Sequence, residues 1–439
     1  MTVTARPRNS DLDTALAEAR ELYGAARPES ARIHARARAV LPGGNTRSVL
    51  FYTPFPTAMA RGEGCFLEDV DANRYVDFCG EYTAGLFGHS DPRITAALHA
   101  AIDRGLNLAA VGEREGQLAA LLCARFPSLE RVRFTNSGTE ANMMALGAAR
   151  AFTGRAGVLA FRGGYHGGLL TLVGGGSPLN APVPITLADY NDTGQTLDQL
   201  SRHGGDIGAV ILEPMMGSGG CIPADPPFLA ALRSATREKG VLLVFDEVMT
   251  SRHSSGGLQK LRGVTPDLTT LGKYVAGGMS FGAFGGRADV MDLFDGHRPG
   301  ALIHSGTFNN NVMSMAGGLV AMGEIFDAAA ADALFARGER LRTRLNGICR
   351  KHRLDMHFTG LGSMMQPHFR AGPIERPYAA GPREEGLREL YFLDLMAAGI
   401  YIARRGMIAM SLPIGEAERD RLAAAVEEFC TLRRPLLAA

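Results

Sequence analysis

The sequence predicts an α/β fold: a mostly parallel sheet with helices on both faces, joined to a smaller α+β unit. Three observations point there. From about residue 115, short apolar runs alternate with helical stretches, the pattern of buried strands linked by crossover helices. The last quarter of the chain changes to a long helix followed by separate strands and helices, which suits an α+β unit. The length of 439 residues also exceeds what one small core serves. The expected division is an N-terminal segment over 1–75 that contributes to the small unit, a large domain over 76–328 and a C-terminal domain over 329–439.

In chain order, residues from about 11 to 40 read as helical and stop at Leu41-Pro42-Gly43-Gly44. FLEDVDANRYVDF (66–78) reads as a hairpin turning at Asp71-Ala72-Asn73. HSDPRITAALHAAI opens a helix with Ser90 or Asp91 as cap and Pro92 in the tolerated first turn. The apolar runs that follow are RVRFTN (131–136), VLAF (158–161), AVILEP (209–214), VLLVFDE (241–247) and DLTTLGK (267–273). GGGSPLNAPVP (174–184) reads as a mobile loop and GPIERPYAAGPREEG (372–386) as a surface connection. Leu334, Leu341, Leu345 and Ile348 recur at helical spacing over 331–352. LDMHF, a helix near 384–398, a strand over IYIARRGMIAMSL and a final helix complete the chain.

Composition narrows the function. With 46% hydrophobic and 21% charged residues and a net charge of +1, nothing favours nucleic acid or membrane as partner. The six cysteines are scattered without a C-x-x-C pair, so neither metal-ligand spacing nor a disulfide framework is expected, and reduced thiols in a cytoplasmic protein are. The start, MTVTARPRNSDLD, lacks the apolar core of a secretory signal. No apolar run approaches the roughly eighteen residues of a membrane-spanning helix. Lysine occurs only four times, at Lys239, Lys260, Lys273 and Lys351, and Lys273 alone is not in polar surroundings.

In a parallel sheet ligands bind beyond the carboxyl ends of the strands, and four such ends carry chemistry. At Ser137-Gly138-Thr139 a strand passes into a helix, whose first N–H groups and hydroxyls make either a phosphate cradle or a plain cap. In Gly163-Gly164-Tyr165-His166-Gly167-Gly168, glycines flank an aromatic pair; Tyr165 either stacks on a flat ligand, with His166 behind it, or both pack in a turn. Asp246 follows five apolar residues and requires a cation or an open strand end; a pyridinium nitrogen, a metal or a capping role each satisfies it. Lys273 ends another buried strand beside GGMSFGAFGGR. Desolvation there would free its amine for imine formation, the alternative being a lysine that snorkels at the sheet edge. Together the four supply a phosphate cradle, a stacking ring, a pyridinium partner and an imine lysine, the set that pyridoxal 5′-phosphate (PLP) needs.

NSGTEAN, GGYHGG, ILEPMMG, VFDEVMTSR, TTLGKY and HSGTFNNN resemble class III (omega-type) aminotransferases of PLP fold type I, over most of residues 40–325. The resemblance implies a homodimer with active sites at the interface, Lys273 and Asp246 as catalytic residues, and Thr307 reaching the neighbouring subunit's cofactor phosphate. It places Val248 on the ring face opposite Tyr165 and gives Glu213 a part in shaping the site. GGNTRSVLFYTPFP, EYTAGLFGHS and IYIARRGMIAMSLP are similar to the aromatic β-amino acid (β-phenylalanine) aminotransferases of the glutamate-1-semialdehyde aminomutase-like branch. That similarity implies transfer from an aromatic β-amino acid to 2-oxoglutarate or pyruvate. Arg47 then clamps the donor carboxylate and Arg405 the acceptor carboxylate, a role that suits a planar guanidinium. Phe51, Tyr52 and Tyr82 fall where the subgroup lines its pocket, or else belong to the core. This chain has Arg404 where the subgroup tends to have proline. The competing activity is that of an intramolecular aminomutase, which needs no acceptor.

Overall fold

Alternation of side chains along each strand sorts residues onto opposite faces of a sheet. It accounts for the central layer of the computed structural model, which describes residues 11–437. Seven strands run in the order Arg131–Thr135, Gly282–Gly286, Leu268–Gly272, Leu242–Asp246, Ile207–Leu212, Gly157–Phe161 and Ile185–Ala188. Gly282–Gly286 is antiparallel to both neighbours, and the other six share one direction. Leu243 and Phe245 pack on one face with Phe228, Leu229 and Leu232 of the helix Pro226–Glu238. Leu242, Val244 and Leu268 pack on the other with Ala141 and Ala145 of the helix Gly138–Thr153. Each fully buried Leu or Phe is worth about 1.5–3 kcal/mol, so both faces need their helices. The expected mostly parallel sheet, covered on two sides, is the one found.

Two of these strands escape sequence reading. Gly282–Gly286 looks like loop because three of its five residues are glycine. Strand approach requires them: a Cβ at Gly282 would lie 2.1 Å from the Ser137 carbonyl oxygen, and one at Gly286 would lie 2.0 Å from that of Asp267. Ile185–Ala188 is an edge strand paired only with Gly157–Phe161, and its half-buried residues carry a weak apolar signal.

Two expectations need correction. The helical stretch from 11 to 40 is two helices, Leu12–Ala25 and Pro28–Ala37. Pro28 has no N–H to continue the first but fits the opening turn of the second. IYIARRGMIAMSL is not one strand. Ile400–Tyr401 pairs in parallel with Val76 and Asp77, while Ile408–Ala409 pairs antiparallel with Met364 and Met365. Between them the chain turns at Gly406 (φ 94), whose N–H donates to the Ala403 carbonyl. Arg404 and Arg405 therefore sit on a turn.

The hairpin is found, as Phe66–Asp69 against Arg74–Asp77 with Ala72 in the left-handed region (φ 63). So is the helix Pro92–Asp103, with Asp91 as its cap. Among the described residues, N-terminal and C-terminal segments meet in the smaller layers. Met59–Glu63, Phe66–Asp69, Arg74–Asp77 and Ile400–Tyr401 form one sheet; His357–Leu361, Met364–His368 and Ile408–Ala409 form another. The long helix Ala328–His352 buries Leu334, Leu341, Leu345 and Ile348, as their spacing predicts. The helix Leu12–Ala25 lies against Pro382–Ala397, close enough that a Cβ on Gly386 would sit 2.9 Å from Leu12 Cδ2. Among the described residues no helix is long and apolar enough to cross a membrane.

Candidate active site

Thr135, Leu212, Asp246 and Gly272 end four co-directional strands at one edge of the large sheet. Asp246 pairs in register with Thr270, so its carboxylate and Lys273 emerge from adjacent strands. Asp246 is 4% exposed. An isolated carboxylate at that depth would be costly, and four neighbours hold this one. Its Oδ2 accepts from Asn142 Nδ2 at 2.8 Å and lies 2.8 Å from His166 Nδ1; Oδ1 accepts from the Val248 N–H at 3.1 Å and from the Thr270 hydroxyl at 3.5 Å. The next residue faces the opposite side of the strand. Glu247 receives the N–H groups of Leu258 and Gln259 and the Thr250 hydroxyl, and so pins the loop behind the site.

Lys273 follows Gly272 in the left-handed region (φ 53), a conformation that costs a non-glycine residue about 1–2 kcal/mol. It lines a cavity of about 500 Å³ together with Asp246, Glu213, Val248, Tyr165 and Arg47. Burial pushes its ammonium below the ordinary lysine range, against the pull of Asp246 and Glu213, while Arg405 and Arg47 add repulsion. A neutral amine is therefore accessible to Lys273 at lower pH than to a surface lysine.

The remaining wall is built for close approach. Ser137 caps the helix Gly138–Thr153, accepting the Glu140 N–H at 3.2 Å, so the cap reading is realised. The first-turn amides of a helix have no intrahelical partner, and Ser137, Gly138 and Thr139 all line the cavity, which leaves the phosphate-cradle reading equally available. A Cβ on Gly138 would lie 2.9 Å from Val248 Cγ2, and one on Gly167 would lie 2.2 Å from Thr139 Oγ1. His166 is buried behind Asp246, whereas Tyr165 stays 40% exposed at the mouth. Glu213 accepts the N–H groups of Tyr165 at 3.0 Å and Gly217 at 2.9 Å.

Burial, reinforced by repulsion from Asp246, pushes the Glu213 carboxyl up to about 7. The ordinary value of 4.5 lies below this, so the native state holds a proton that the unfolded chain has lost. Stability is then expected to decline as pH rises from about 4.5 through 7, by an amount on the order of 1–3 kcal/mol. Glu213→Gln, which cannot ionise, is expected to lack this decline. Thermal melts of the cofactor-free proteins at pH 5 and pH 8 should show a wild-type Tm deficit that grows with pH. A constant difference would refute the assignment.

The other predicted residues divide. Arg47 reaches this cavity, is ion-paired with Glu81 and lies over the Tyr82 ring. Arg405 lines a neighbouring cavity of about 560 Å³ and also lies over Tyr82. Arg404 is bound instead to Glu389 Oε2 at 3.2 Å, so the two arginines face different surroundings. Tyr52 is a core residue against Phe392 and Tyr23. Phe51 is 51% exposed and lies outside the cavity within one chain. Thr307 lines a separate cavity with Leu106, Leu108 and Val111. Asn142, Thr270, Glu247 and Glu81 were not anticipated. Asn142 had a signal, being a polar residue on the helix face that buries Ala141, Ala145 and Ala149.

A covered parallel sheet with a desolvated lysine and a clamped carboxylate at its strand ends defines a PLP enzyme of fold type I. Residues 51–412 match the family described as aminotransferase class-III, and the chain belongs to it. It is a PLP-dependent aminotransferase. It is 51% identical over 419 residues to a protein named beta-phenylalanine transaminase from Variovorax paradoxus, covering 95% of this chain and 96% of that one. The crystal structure of a β-phenylalanine aminotransferase from the same organism superposes with a TM-score of 0.95 at 50% identity, covering 98% of this chain and 99% of that one. A glutamate-1-semialdehyde 2,1-aminomutase from Heliobacterium modesticaldum is 34% identical, covering 91% of this chain and 96% of its own length.

Proposed function

We propose that this enzyme moves the amino group of an aromatic β-amino acid such as 3-amino-3-phenylpropanoate to 2-oxoglutarate or pyruvate. The observation that carries the reading is a guanidinium, Arg47, in the same cavity as Lys273. The 51% identity to a protein named beta-phenylalanine transaminase supports the substrate class.

PLP, when bound, supplies the carbonyl that takes up the amino group and an electron-withdrawing ring. Lys273 holds it, and the Lys273 Nζ, once free, takes the proton from the amine-bearing substrate carbon. Asp246 keeps a negative charge at the ring nitrogen, with His166 and Asn142 fixing its orientation. Ser137, Gly138 and Thr139 turn helix N-terminal amides toward the phosphate. Val248 and Tyr165 would confine the ring, and Glu213 fixes the Tyr165 backbone. Arg47 takes the donor carboxylate and Arg405 that of the acceptor, and the Tyr82 ring contacts both guanidinium groups; Phe51, outside the cavity within one chain, takes part only if the partner subunit closes over it.

The active unit is a homodimer in which Thr307 completes the partner's phosphate site. Leu106, Leu108 and Val111 beside Thr307, with Ile303 and Phe308, are exposed large apolar residues in support of a covering subunit. With no membrane-crossing helix among the described residues and scattered cysteines, we place the enzyme in the cytoplasm.

Acceptor dependence tests the reaction. Purified enzyme given 3-amino-3-phenylpropanoate should release the β-oxo acid beyond one equivalent per site only when 2-oxoglutarate or pyruvate is added. Acceptor-independent consumption of glutamate 1-semialdehyde would instead establish the aminomutase.

A further inference from the structure

Two guanidinium groups that both repel the Lys273 ammonium share one aromatic ring. The Cζ atoms of Arg47 and Arg405 lie 5.4 and 5.5 Å from the centroid of Tyr82. Their separation is therefore at most about 11 Å, and each falls within the range in which a cation is attracted to a ring face. Like charges held this near would drive flexible side chains apart, so something must set their places. Arg47 has a second partner in Glu81. Among the described residues Arg405 has no carboxylate partner; its other contact is Met407 Sδ at 3.1 Å, and its Nε is buried without a hydrogen bond.

The ring itself is held firmly. Gly80, Glu81, Tyr82 and Thr83 have φ of 51°, 47°, 54° and 83°, four successive residues in the left-handed region. Three of them carry a Cβ, so the turn costs a few kcal/mol and persists only because its surroundings enforce it. Asp77 Oδ1 accepts the Cys79 and Gly80 N–H groups at 2.8 and 2.9 Å before the turn. After it, Arg252, 1% exposed, donates to the Thr83 carbonyl at 3.4 Å and also to the Met410 carbonyl. The Tyr82 hydroxyl donates to the Val49 carbonyl at 3.1 Å, two residues beyond Arg47.

We infer that Tyr82 is a positioning residue that sets both carboxylate-binding arginines from a single ring, so that donor and acceptor recognition depend on it together. This rests on the proposed roles of Arg47 and Arg405. The ring contact costs nothing to form on substrate arrival because the turn is already locked. Contact through the ring uses no N–H donor, so Arg405 keeps its donors for a carboxylate, while a carboxylate arriving at Arg47 shares that guanidinium with Glu81. A tyrosine that merely lined a pocket for an aromatic substituent would serve the aromatic donor and leave a small aliphatic acceptor unaffected.

The test uses two carboxylates that cannot react: 3-phenylpropanoate for the donor side and glutarate for the acceptor side. Their Kd values for the holoenzyme are measured by calorimetry, alongside KM and kcat for 3-amino-3-phenylpropanoate and 2-oxoglutarate. Tyr82→Leu should weaken both carboxylates by about five- to thirtyfold and raise both KM values, with kcat falling less than threefold or so. Its cofactor absorbance should match the wild type, and its Tm should fall by no more than a few degrees. Tyr82→Phe keeps the ring, loses only the bond to Val49, and should bring both constants back to within about threefold of the wild type. Should the leucine variant not fold, Tyr82→Gln, planar but without an aromatic face, is read in the same way. Weakening confined to one carboxylate, or to neither, overturns the inference. Arg47→Ala and Arg405→Ala that leave both Kd values unchanged would instead defeat the underlying assignment of the arginines.

Discussion

Lys273→Ala should lower kcat for amino transfer by about 10³- to 10⁴-fold, the scale of a lost positioned base. The other three lysines are no substitute, since none of them lines the cavity that holds Asp246 and Glu213. Two properties make the effect specific to a proton acceptor. Burial depresses the Lys273 ammonium against the attraction of Asp246 and Glu213, so the amine loses its proton more readily than that of a surface lysine. Its Cα is placed directly after the strand, in the wall of the cavity that Asp246 and Glu213 also line, so Nζ works from the strand end at which the other charged groups gather. Lys273→Arg separates charge from proton transfer: the guanidinium keeps a cation beside Asp246 and Glu213 but cannot release a proton in this pH range. It should be as inactive as the alanine variant. Activity above a tenth of wild type in either would remove Lys273 from the reaction. Borohydride reduction of the holoenzyme should attach the cofactor to the peptide containing Lys273, and attachment at Lys239, Lys260 or Lys351 would do the same damage.

What made Lys273 and Asp246 legible in the sequence is that each interrupts an apolar run, and a charge ending a buried strand requires a reason. The sheet was legible for a related cause, since VLLVFDE and AVILEP must be covered on both faces. The strand Gly282–Gly286 was not, because its glycines answer to carbonyls of Ser137, Arg131 and Asp267 that are distant in the chain. The same holds for the Arg404–Gly406 turn. Its apolar flanks alternate like one strand, yet Ile400–Tyr401 and Ile408–Ala409 are drawn into different sheets by residues 76–77 and 364–365. Arginine roles were the least legible, since 42 of the 46 basic residues are arginine once four lysines are set aside. Only the partners, Glu389 for Arg404 and Tyr82 for Arg405, tell one from another.

Asp246→Asn should reduce kcat/KM by about 10²- to 10³-fold, the scale on which removing one oriented charge or donor acts in a buried site, and should lower Tm by a few degrees. The network shows why an isosteric amide is not tolerated. Thr270 Oγ1 lies 2.6 Å from Asn142 Oδ1, which turns the Asn142 NH₂ group toward Asp246 Oδ2. Val248 N–H already points at Oδ1. Both oxygens thus face donors, and an asparagine must place its own NH₂ against one of them. Facing Val248, it opposes a backbone N–H that has no other direction to turn; facing Asn142, it opposes an amide that Thr270 holds in place. Either way one buried donor loses its acceptor, at a cost of about 1–3 kcal/mol. His166 cannot repair this, since its Nδ1 meets the same Oδ2 and can at most exchange a donor role for an acceptor one. Asn142→Ala provides the discriminating comparison. It removes one donor but leaves the charge, so it should cost stability comparable to Asp246→Asn and much less activity. If the two variants lose activity equally, the carboxylate acts through packing and not through its charge at the ring nitrogen.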